Sequence, residues 1–140
     1  MNTHKGIAAA LVGEDDRLMF LPRLPRLFGL ARMIEAEAIT YGYMSKLSAD
    51  YTGAYWHFYT LSNGGFYMAP DGQAQYHLAW DEKGFSGDVS ADAAGLIATL
   101  SMLAHMHEKY DDDHFARLYV RAYGYAARHA EAALIAAAVD

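Results

Sequence analysis

Hydrophobic and polar residues alternate along some stretches of the chain and recur with a helical period along others, and these patterns predict its elements. Two aromatic runs, 55–61 and 66–69, flank the dipeptide Asn63-Gly64. Asparagine and glycine both tolerate positive φ, which a type I′ turn requires at both of its central residues. The sequence therefore predicts a tight β-hairpin with a loop formed by Asn63-Gly64.

This loop fixes the register of the hairpin, so that the opposed pairs would be Leu61 with Phe66, Tyr59 with Met68, and Phe58 with Ala69. One face would carry Tyr55, His57, Tyr59, Leu61, Phe66 and Met68, and the other would carry Trp56, Phe58, Thr60, Tyr67 and Ala69. Because neither face is charged, we expect both to be partly covered, or one to offer an aromatic patch to a partner. Burial is the preferred interpretation, since aromatic side chains dominate ordinary cores. Pro70 lacks an amide hydrogen and should mark the end of pairing.

The remaining elements follow from the same two periods. Residues 29–47 are predicted to be a helix with an apolar stripe of Leu30, Met33, Ile34, Ala38, Tyr41 and Met44. A third strand is predicted at 75–80, where Tyr76, Leu78 and Trp80 alternate with Gln75, His77 and Ala79. After a turn at 81–84, residues 85–89 form the fourth strand of an antiparallel meander.

Capping residues indicate where the later helices begin. Ser90 is a plausible N-cap for a helix over 91–107, with Asp92 in the first turn, where the helix dipole favours an anion. Asp111-Asp112-Asp113 play the same part for a helix over 112–128, whose apolar stripe is Phe115, Leu118, Tyr119 and Ala122. A last helix is predicted over 130–138. The fold class is therefore α+β: about four strands within residues 55–89, packed with about four helices.

Four ordered segments of the chain resemble the ArdB/KlcA family of antirestriction proteins. The first is the hairpin, whose family pattern is close to Y-x-G-G-x-W-x-F-Y-x-L-S-N-G-G-F-Y-M-A-P. The others are 24–29, then 84–88 with 90–95, and the ending His129-Ala130-Glu131-Ala132 through Val139-Asp140. The resemblance covers residue 17 to residue 140, which is taken as an antirestriction domain after a loose segment over 1–16.

Four features of the chain depart from the family pattern. Ala54 stands where a second glycine is usual, His57 where an acidic residue is common, and Ala130 where proline normally opens the last helix, while 21–23 duplicate the triplet that follows. None of these changes removes a recognisable catalytic group.

Composition narrows the possible functions. The 140 residues are 54 % hydrophobic and include no cysteine, which excludes disulfides, thiolate zinc sites and a cysteine nucleophile. The short apolar run over 6–13 is far below the ~20 residues of a membrane helix. We expect a cytoplasmic protein that does not enter a membrane.

Catalytic and metal-binding motifs are incomplete. The segment 84–88 resembles a nucleophile elbow, but G-x-S-x-G would need glycine at Asp88, so we interpret it as a turn followed by a strand. His105 and His107 would lie about 200° apart on one helix and could not face the same ion unless the helix ended between them. With His114 they are interpreted as solvated residues around a loop. The sequence predicts no catalytic residues, no metal and no cofactor.

The charge argues against nucleic-acid binding and against its imitation. Eleven Lys and Arg against seventeen Asp and Glu give a net charge of −6, and only Arg23, Arg26 and Arg32 gather locally. A protein that imitated about 34 Å of duplex DNA would display about 20 negative charges. Neither strong DNA binding nor whole-surface DNA mimicry is expected.

The resemblance implies an antirestriction protein of plasmids or other mobile elements that counteracts type I restriction-modification cleavage of incoming unmodified DNA. It would act by binding the restriction system or an associated host factor, directly or indirectly. The alternative is a small hydrolase-like enzyme that uses His57 or His77 with a carboxylate, although the family's frequent acidic residue at position 57 argues against an essential histidine.

Two groups of residues are singled out. The candidates for contact with the target are Asn63, Gly64, Gly65, Tyr67 and Asp140, of which Asp140 could instead contact an arginine such as Arg26. The candidates for a structural role are Trp56, Phe58, Tyr59, Phe66, Phe85, Ser90 and Asp92.

Overall fold

The structure, a computed structural model, describes residues 6–13 and 30–140. Most of the strands come first along these residues, and three of the helices follow them. In chain order they are β1 (Ala9–Leu11), α1 (Leu30–Leu47), β2 (Tyr55–Leu61), β3 (Phe66–Asp71), β4 (Gln75–Trp80), a 3₁₀ turn (Asp81–Lys83), β5 (Phe85–Ser90), α2 (Ala91–Tyr110), α3 (Asp113–Ala126) and α4 (Ala132–Val139). The predicted α+β class is confirmed.

The strands form two antiparallel sheets, one with the order β1-β2-β3 and one of β4 and β5. The prediction of a single four-stranded meander is therefore wrong, because β3 and β4 do not pair. The predicted alternation along β4 is confirmed, since Tyr76, Leu78 and Trp80 are buried while the residues between them are exposed.

Helix α2 occupies the edge of β3 where a fourth strand was expected. The Met68 amide donates to Thr99 Oγ1 at 3.1 Å, and the same hydroxyl donates to the Met68 carbonyl at 3.4 Å. A Cβ added at Gly95 would lie 2.3 Å from that carbonyl oxygen, so glycine is what lets the helix come so close. The Thr99 hydroxyl thus forms the hydrogen bonds that the Met68 amide and carbonyl would otherwise make to another strand.

The hairpin loop has three residues, Ser62 to Gly64, rather than two. The Gly64 amide donates to the Leu61 carbonyl at 3.0 Å and the Leu61 amide to the Gly65 carbonyl at 2.9 Å. Gly64 has a φ of 88°, whereas Asp111 is the one non-glycine residue with positive φ in the described parts of the chain. The predicted type I′ turn at Asn63-Gly64 is therefore wrong, and the loop is of the longer kind in which a single glycine takes the left-handed conformation.

The longer loop shifts the register by one residue and exchanges the faces of β3. The observed pairs are Thr60 with Phe66, Tyr59 with Tyr67, and Phe58 with Met68. Tyr67 consequently lies on the face of Tyr59, where the sequence had placed Met68. Pairing also continues one residue past Pro70, to Tyr55 with Asp71, so Pro70 does not mark its end. Pro70 lies on an edge strand, where proline is tolerated.

Helix α1 packs through a stripe that only partly matches the predicted one. Its fully buried residues are Ala36, Thr40, Met44 and Leu47, whereas Ile34 is 61 % exposed and Ala38 is also exposed. Thr40 can be buried because its hydroxyl donates to the Ala36 carbonyl at 2.8 Å. Met44 is buried, and Met33 and Tyr41 are partly buried against the core, so this part of the prediction is confirmed. The side chain of Leu30 lies outside the described residues.

The predicted helix starts are confirmed closely. The Ser90 hydroxyl accepts from the Ala93 amide at 3.0 Å, as an N-cap does, and the Asp112 carboxylate caps α3 in the same way. Phe115, Leu118 and Ala122 are buried along α3 as predicted.

Two sequence-based expectations concern the first part of the chain. Ala9–Leu11 pairs with β2, so at least this part of the segment 1–16 belongs to the sheet. The division at residue 16, the segment 24–29, and Arg23 and Arg26 lie outside the described residues. No helix that the structure describes combines the length and hydropathy needed to cross a membrane.

Candidate interaction surface

Three of the four segments that carry the family resemblance, all within the described part of the chain, meet at the beginning of α2. The Tyr67 hydroxyl from the hairpin donates to Asp92 Oδ1 at 2.7 Å. His129, from the connection between α3 and α4, lies with Nε2 at 2.8 Å from Asp92 Oδ2. Asp92 thus joins three distant segments through one carboxylate, in the first helical turn where the dipole favours an anion.

The hydrogen bonds of His129 fix its tautomer. Its Nδ1 accepts the Glu131 amide at 3.0 Å, so the ring proton belongs on Nε2 and is donated to Asp92. Its side chain is 12 % exposed. Because both ring nitrogens are occupied, this histidine holds the α3–α4 connection in place and has no free position for proton transfer.

Glu131 ties α4 to the N-cap of α2. Its carboxylate accepts from the Ser90 amide at 2.8 Å and from the Ser90 hydroxyl in a short hydrogen bond. The same hydroxyl caps the helix through Ala93. The sequence analysis included His129 and Glu131 in the family ending but assigned them no role. A histidine and a carboxylate two positions apart were the sequence feature that could have identified them as hydrogen-bonding residues.

Stacked tyrosines cover the network. The Tyr59 and Tyr67 rings are parallel with centroids 4.8 Å apart, and Tyr125 stacks on Tyr67 at 5.4 Å. Burial, followed by the hydrogen bond to Asp92, raises the pKa of Tyr67 far above its ordinary value. Tyr67 therefore stays a neutral phenol that donates to Asp92.

The hairpin tip docks on α3. Asn63 Nδ2 donates to the Arg121 carbonyl at 2.9 Å, and Asn63 Oδ1 accepts from the Gly65 amide at 3.0 Å. A Cβ at Gly65 would lie 2.8 Å from Arg121 Cβ, so this glycine also permits close packing. The tip is thereby positioned rigidly, with Gly64 exposed beside the Arg121 guanidinium.

Only some of the proposed contact residues are accessible. Tyr67 is 1 % exposed and Gly65 is buried, so neither presents a surface to a partner in this conformation. Asn63 is half-buried, while Gly64 and Asp140 are exposed, and contact with a target stays a prediction for these three.

The residues proposed as structural occupy the positions that such a role needs. Buried side chains among them are Trp56, Phe58, Phe66 and Phe85. Tyr59 is part of the stack, Ser90 is the N-cap and Asp92 is the junction described above.

Asp140 lies beside the end of α4, and its carboxylate accepts from the Tyr123 hydroxyl at 3.1 Å. This hydrogen bond raises the pKa of Tyr123. Lys83 Nζ donates to the Val139 carbonyl at 3.0 Å, so a distant lysine supplies the cation that suits a helix C-terminus. The expected alternative partner, Arg26, lies outside the described residues.

Two exposed histidine–aspartate pairs lie elsewhere on the sheets. His57 Nε2 is 2.9 Å from Asp71 Oδ2, and His77 Nδ1 is 2.7 Å from Asp88 Oδ1. His77 Nε2 is also 3.4 Å from Ser86 Oγ. Both histidines were candidates for a hydrolase-like enzyme, and each lies near a carboxylate.

The other histidines are dispersed. His105 and His107 are both on α2, which continues to Tyr110, and His107 Nδ1 lies 3.0 Å from the Asp112 carbonyl. Among residues 6–13 and 30–140, no three His, Cys, Asp or Glu side chains are grouped so as to hold a metal ion.

Comparison with known proteins places the chain among relatives of the same length. It is 46 % identical over 140 residues to "Antirestriction protein KlcA" of Escherichia coli, covering 96 % of this chain and 94 % of the relative. A second protein of that name from Escherichia coli is 43 % identical, with both chains covered completely.

A solved structure is also similar, with a TM-score of 0.85 and 43 % identity over 96 % of this chain and 95 % of the other. It is described as showing that "KlcA and ArdB proteins show a novel fold and antirestriction activity against Type I DNA restriction systems in vivo but not in vitro". The family described as "Antirestriction protein" matches residues 49–140. The chain belongs to this antirestriction protein family.

Proposed function

We propose that this chain counteracts type I restriction-modification cleavage of incoming unmodified DNA in the bacterial cytoplasm, by binding rather than by catalysis and without a cofactor. One observation carries the proposal: the likeness, at 43 % identity and nearly full length, to a protein whose antirestriction activity is described. The partner is the restriction system or an associated host factor.

Two features support binding through a rigid surface. The hairpin tip is held on α3 by Asn63, and Asp92 and His129 tie the hairpin to the ends of two helices. Activity of the related proteins in vivo but not in vitro also favours a mechanism that needs a further component of the cell. A preorganised surface lowers the cost of binding that component.

Charge argues that the protein does not act by imitating DNA as a whole. With a net charge of −6, it falls far short of the about 20 charges on a 34 Å duplex. Purified protein should therefore not displace DNA from a type I enzyme. Stoichiometric displacement at low salt that weakens steeply as salt rises would show mimicry instead.

A plating assay tests the proposal. Expression should raise the number of plaques that unmodified phage form on type I restricting cells, while modified phage plate equally with and without the protein. Methylation of host DNA should stay largely intact, because the proposed target is the cleavage of unmodified DNA. Folded protein in the cells and no protection against any type I system would refute the proposal.

The group of Ser86, His77 and Asp88 supports a second candidate, a weak hydrolase. Its order resembles a nucleophile, a base and an orienting carboxylate. However, the 3.4 Å separation of Ser86 Oγ from His77 Nε2 is long, and the side chains of His77 and Asp88 are 52 % and 68 % exposed. Turnover of an activated ester that Ser86→Ala and His77→Ala both abolish would favour this candidate.

A further inference from the structure

We propose that a patch on α3, formed by Arg117, Val120 and Arg121, binds an acidic segment of a partner protein. Carboxylates of that segment pair with the two guanidiniums, and an apolar side chain beside them covers Val120. We call these three residues the arginine patch. The inference rests on the proposed function for the identity of the partner, whereas recognition of an acidic segment is a property of the chain that can be tested separately.

The basic side chains on α3 differ from the others in having no partner. Elsewhere in the described chain, basic side chains are held in ion pairs or on a helix-end carbonyl: Arg32, Lys46, Lys109 and Lys83. Arg117, Arg121 and Arg128, on α3 or just after it, form no side-chain hydrogen bond or ion pair with a described residue. In a chain with a net charge of −6, this local reversal of sign suits an acidic partner.

Arg117 and Arg121 lie side by side on the helix surface. They are four positions apart, which places them about 6 Å apart along the axis and about 40° apart around it. Arg117 is exposed and Arg121 is half-buried. Carboxylates two positions apart in an extended segment are separated by about 6.6 Å, so one short segment can reach both guanidiniums. Each guanidinium can bind a carboxylate through two parallel hydrogen bonds.

The hairpin tip holds Arg121 in place. A Cβ at Gly64 would lie 3.5 Å from Arg121 Nη1, so the guanidinium lies against the tip. The Arg121 carbonyl accepts from Asn63 Nδ2 at 2.9 Å. A guanidinium that is already positioned loses less side-chain entropy when it binds. Asn63 and Gly64, which are predicted to contact the target, therefore lie next to the arginine patch.

Val120 adds an exposed apolar surface to the patch. It is 69 % exposed, the largest exposure among the large hydrophobic residues that the structure describes. With Asp113, Ala116, Arg117 and Arg121 it lines a shallow depression of about 400 Å³. Asp113 contributes one carboxylate to this lining against two guanidiniums, which leaves an excess of positive charge. A partner side chain that covers Val120 removes apolar surface from water on both sides.

The charge of the whole chain favours an acidic protein segment over a nucleic acid. Duplex DNA carries about one negative charge per 1.7 Å and would extend past the patch over a chain whose net charge is −6. A short segment with a few carboxylates contacts the patch alone. It therefore gains the attraction of the two arginines without repulsion from the rest of the surface.

Nuclear magnetic resonance of the full chain tests the inference. The probe is the peptide acetyl-Glu-Leu-Glu-Glu-Leu-Glu-amide, which in an extended conformation places one leucine on the same side as two glutamates. The amide resonances of Val120 and Gly64 should shift in a saturable way, and less strongly as salt rises. The same peptide with glutamine in place of every glutamate should cause no shift.

Paired substitutions identify the residues responsible. Arg117→Gln with Arg121→Gln should weaken binding about tenfold, because two charge-assisted pairs are lost. Arg117→Lys with Arg121→Lys keeps the charge but not the bidentate geometry, and should restore only part of the affinity. The matched control is Lys46→Gln with Lys109→Gln, which removes the same charge from side chains that already have partners and should bind the peptide as the parent does.

Three titration results would each overturn the inference. These are no saturable shift at Val120 or Gly64 up to the solubility limit of the glutamate peptide, equal binding by the double-glutamine variant of Arg117 and Arg121, and shifts with a short DNA duplex when the peptide is silent. Shifts of the same amides that depend on protein concentration alone would identify a second copy of the chain as the occupant and would also overturn it.

Phage plating separates this inference from the proposed function. The parent chain and the lysine control should protect unmodified phage, and the folded double-glutamine variant of Arg117 and Arg121 should protect less. Equal protection by that variant and the parent would overturn the inference and leave the antirestriction proposal standing. If the parent gives no protection, the antirestriction proposal fails, and the peptide titration alone decides whether the patch binds acidic segments.

Discussion

Asp92 is the residue on which distant parts of the chain converge. Its two carboxylate oxygens bind Tyr67, which is 25 positions away, and His129, which is 37 positions away. These side chains are largely buried, so each lost hydrogen bond would leave a polar group unsatisfied. The residue that connects the family segments is therefore also one that stabilises the fold.

Replacing Tyr67 by phenylalanine should change stability in a pH-dependent way. Burial and then the hydrogen bond to Asp92 raise the pKa of Tyr67 above its usual value of 10.0, so the folded chain retains this proton longer than the unfolded chain. The contribution of Tyr67 to the free energy of unfolding is therefore complete below about pH 10 and is lost as the pH rises further.

Tyr67→Phe should lower the free energy of unfolding by about 1–3 kcal/mol at neutral pH and should flatten its decline in alkali. Urea unfolding from about pH 7 to pH 11 measures both effects. Some decline should remain, because the pKa values of Tyr59, Tyr119 and Tyr123 are also raised. Equal alkaline slopes for the two chains would contradict the role given to Tyr67.

The substitution Asp140→Asn tests whether Asp140 contacts a target or only stabilises the fold. The change should leave the free energy of unfolding within about 0.5 kcal/mol, as for most surface changes. It should lower the pKa of Tyr123, because the carboxylate that accepts the Tyr123 hydroxyl loses its charge. A spectroscopic titration checks the pKa, and phage protection is expected to fall. Full protection by a chain without Asp140 would show that the residue is not a contact.

Capping residues could be predicted because their chemistry is local. Ser90 binds an amide three positions ahead, and the sequence pattern is sufficient to reveal it. Tyr67 and His129 could not be assigned in this way, since their shared partner is distant in sequence. The sequence analysis placed Tyr67 on the face of Trp56 and Phe58, and this assignment failed because a one-residue change of register moves a side chain to the other face.

The hairpin depends on one glycine with positive φ. Gly64→Val places a β-branched side chain at a φ of 88°, so the free energy of unfolding should fall by about 1–3 kcal/mol. Gly64→Asn is the matched control, because asparagine tolerates the left-handed conformation and should cost much less. Thermal unfolding compares the two chains. Equal melting temperatures for Gly64→Val and the parent chain would mean that residue 64 does not have a positive φ.

The contact of α2 with β3 depends on the glycine at position 95. Gly95→Ala would place Cβ 2.3 Å from the Met68 carbonyl oxygen and 2.5 Å from Ala69 Cα, and backbone atoms cannot easily move away. We expect a loss of about 3 kcal/mol in urea unfolding.

Gly42→Ala is the control for Gly95→Ala, since Gly42 lies within α1 and a Cβ there meets no atom within 4 Å. It should raise stability by about 0.5–1 kcal/mol through helix propensity. A Gly95→Ala chain as stable as the parent would show that α2 does not lie against the β3 edge.

Strands and helices were predictable where one face of an element was buried, as along β4 and α3. The split into two sheets was not predictable, because it depends on Thr99, which satisfies an edge strand from 31 positions away. The stripe of α1 was assigned correctly only in part. Residue type there favoured Ile34, whereas packing buries Thr40, whose hydroxyl is satisfied by its own helix.

At the scale of the whole molecule, α2 is the centre to which the rest of the described chain is attached. It packs against α1, α3 and α4 as well as against β3. Its N-terminus carries the Asp92 network. The Asp92 network is therefore attached to the helix that contacts most of the other elements.

The most direct measurement is the ratio of plaques formed by unmodified and modified phage on a type I restricting host. Four strains are compared: one without the protein, and one each with the parent chain, Asp140→Asn and Asp88→Asn. Both substitutions turn an exposed aspartate into its amide, but only Asp88 belongs to the Ser86–His77–Asp88 group. Protein levels and folding are confirmed in each strain.

We expect the parent chain and Asp88→Asn to raise the ratio equally, and Asp140→Asn to raise it less. Loss of protection with Asp88→Asn would favour catalysis over binding. A ratio that stays at the restricted level with the folded parent chain, on every type I host tested, would contradict the antirestriction function itself.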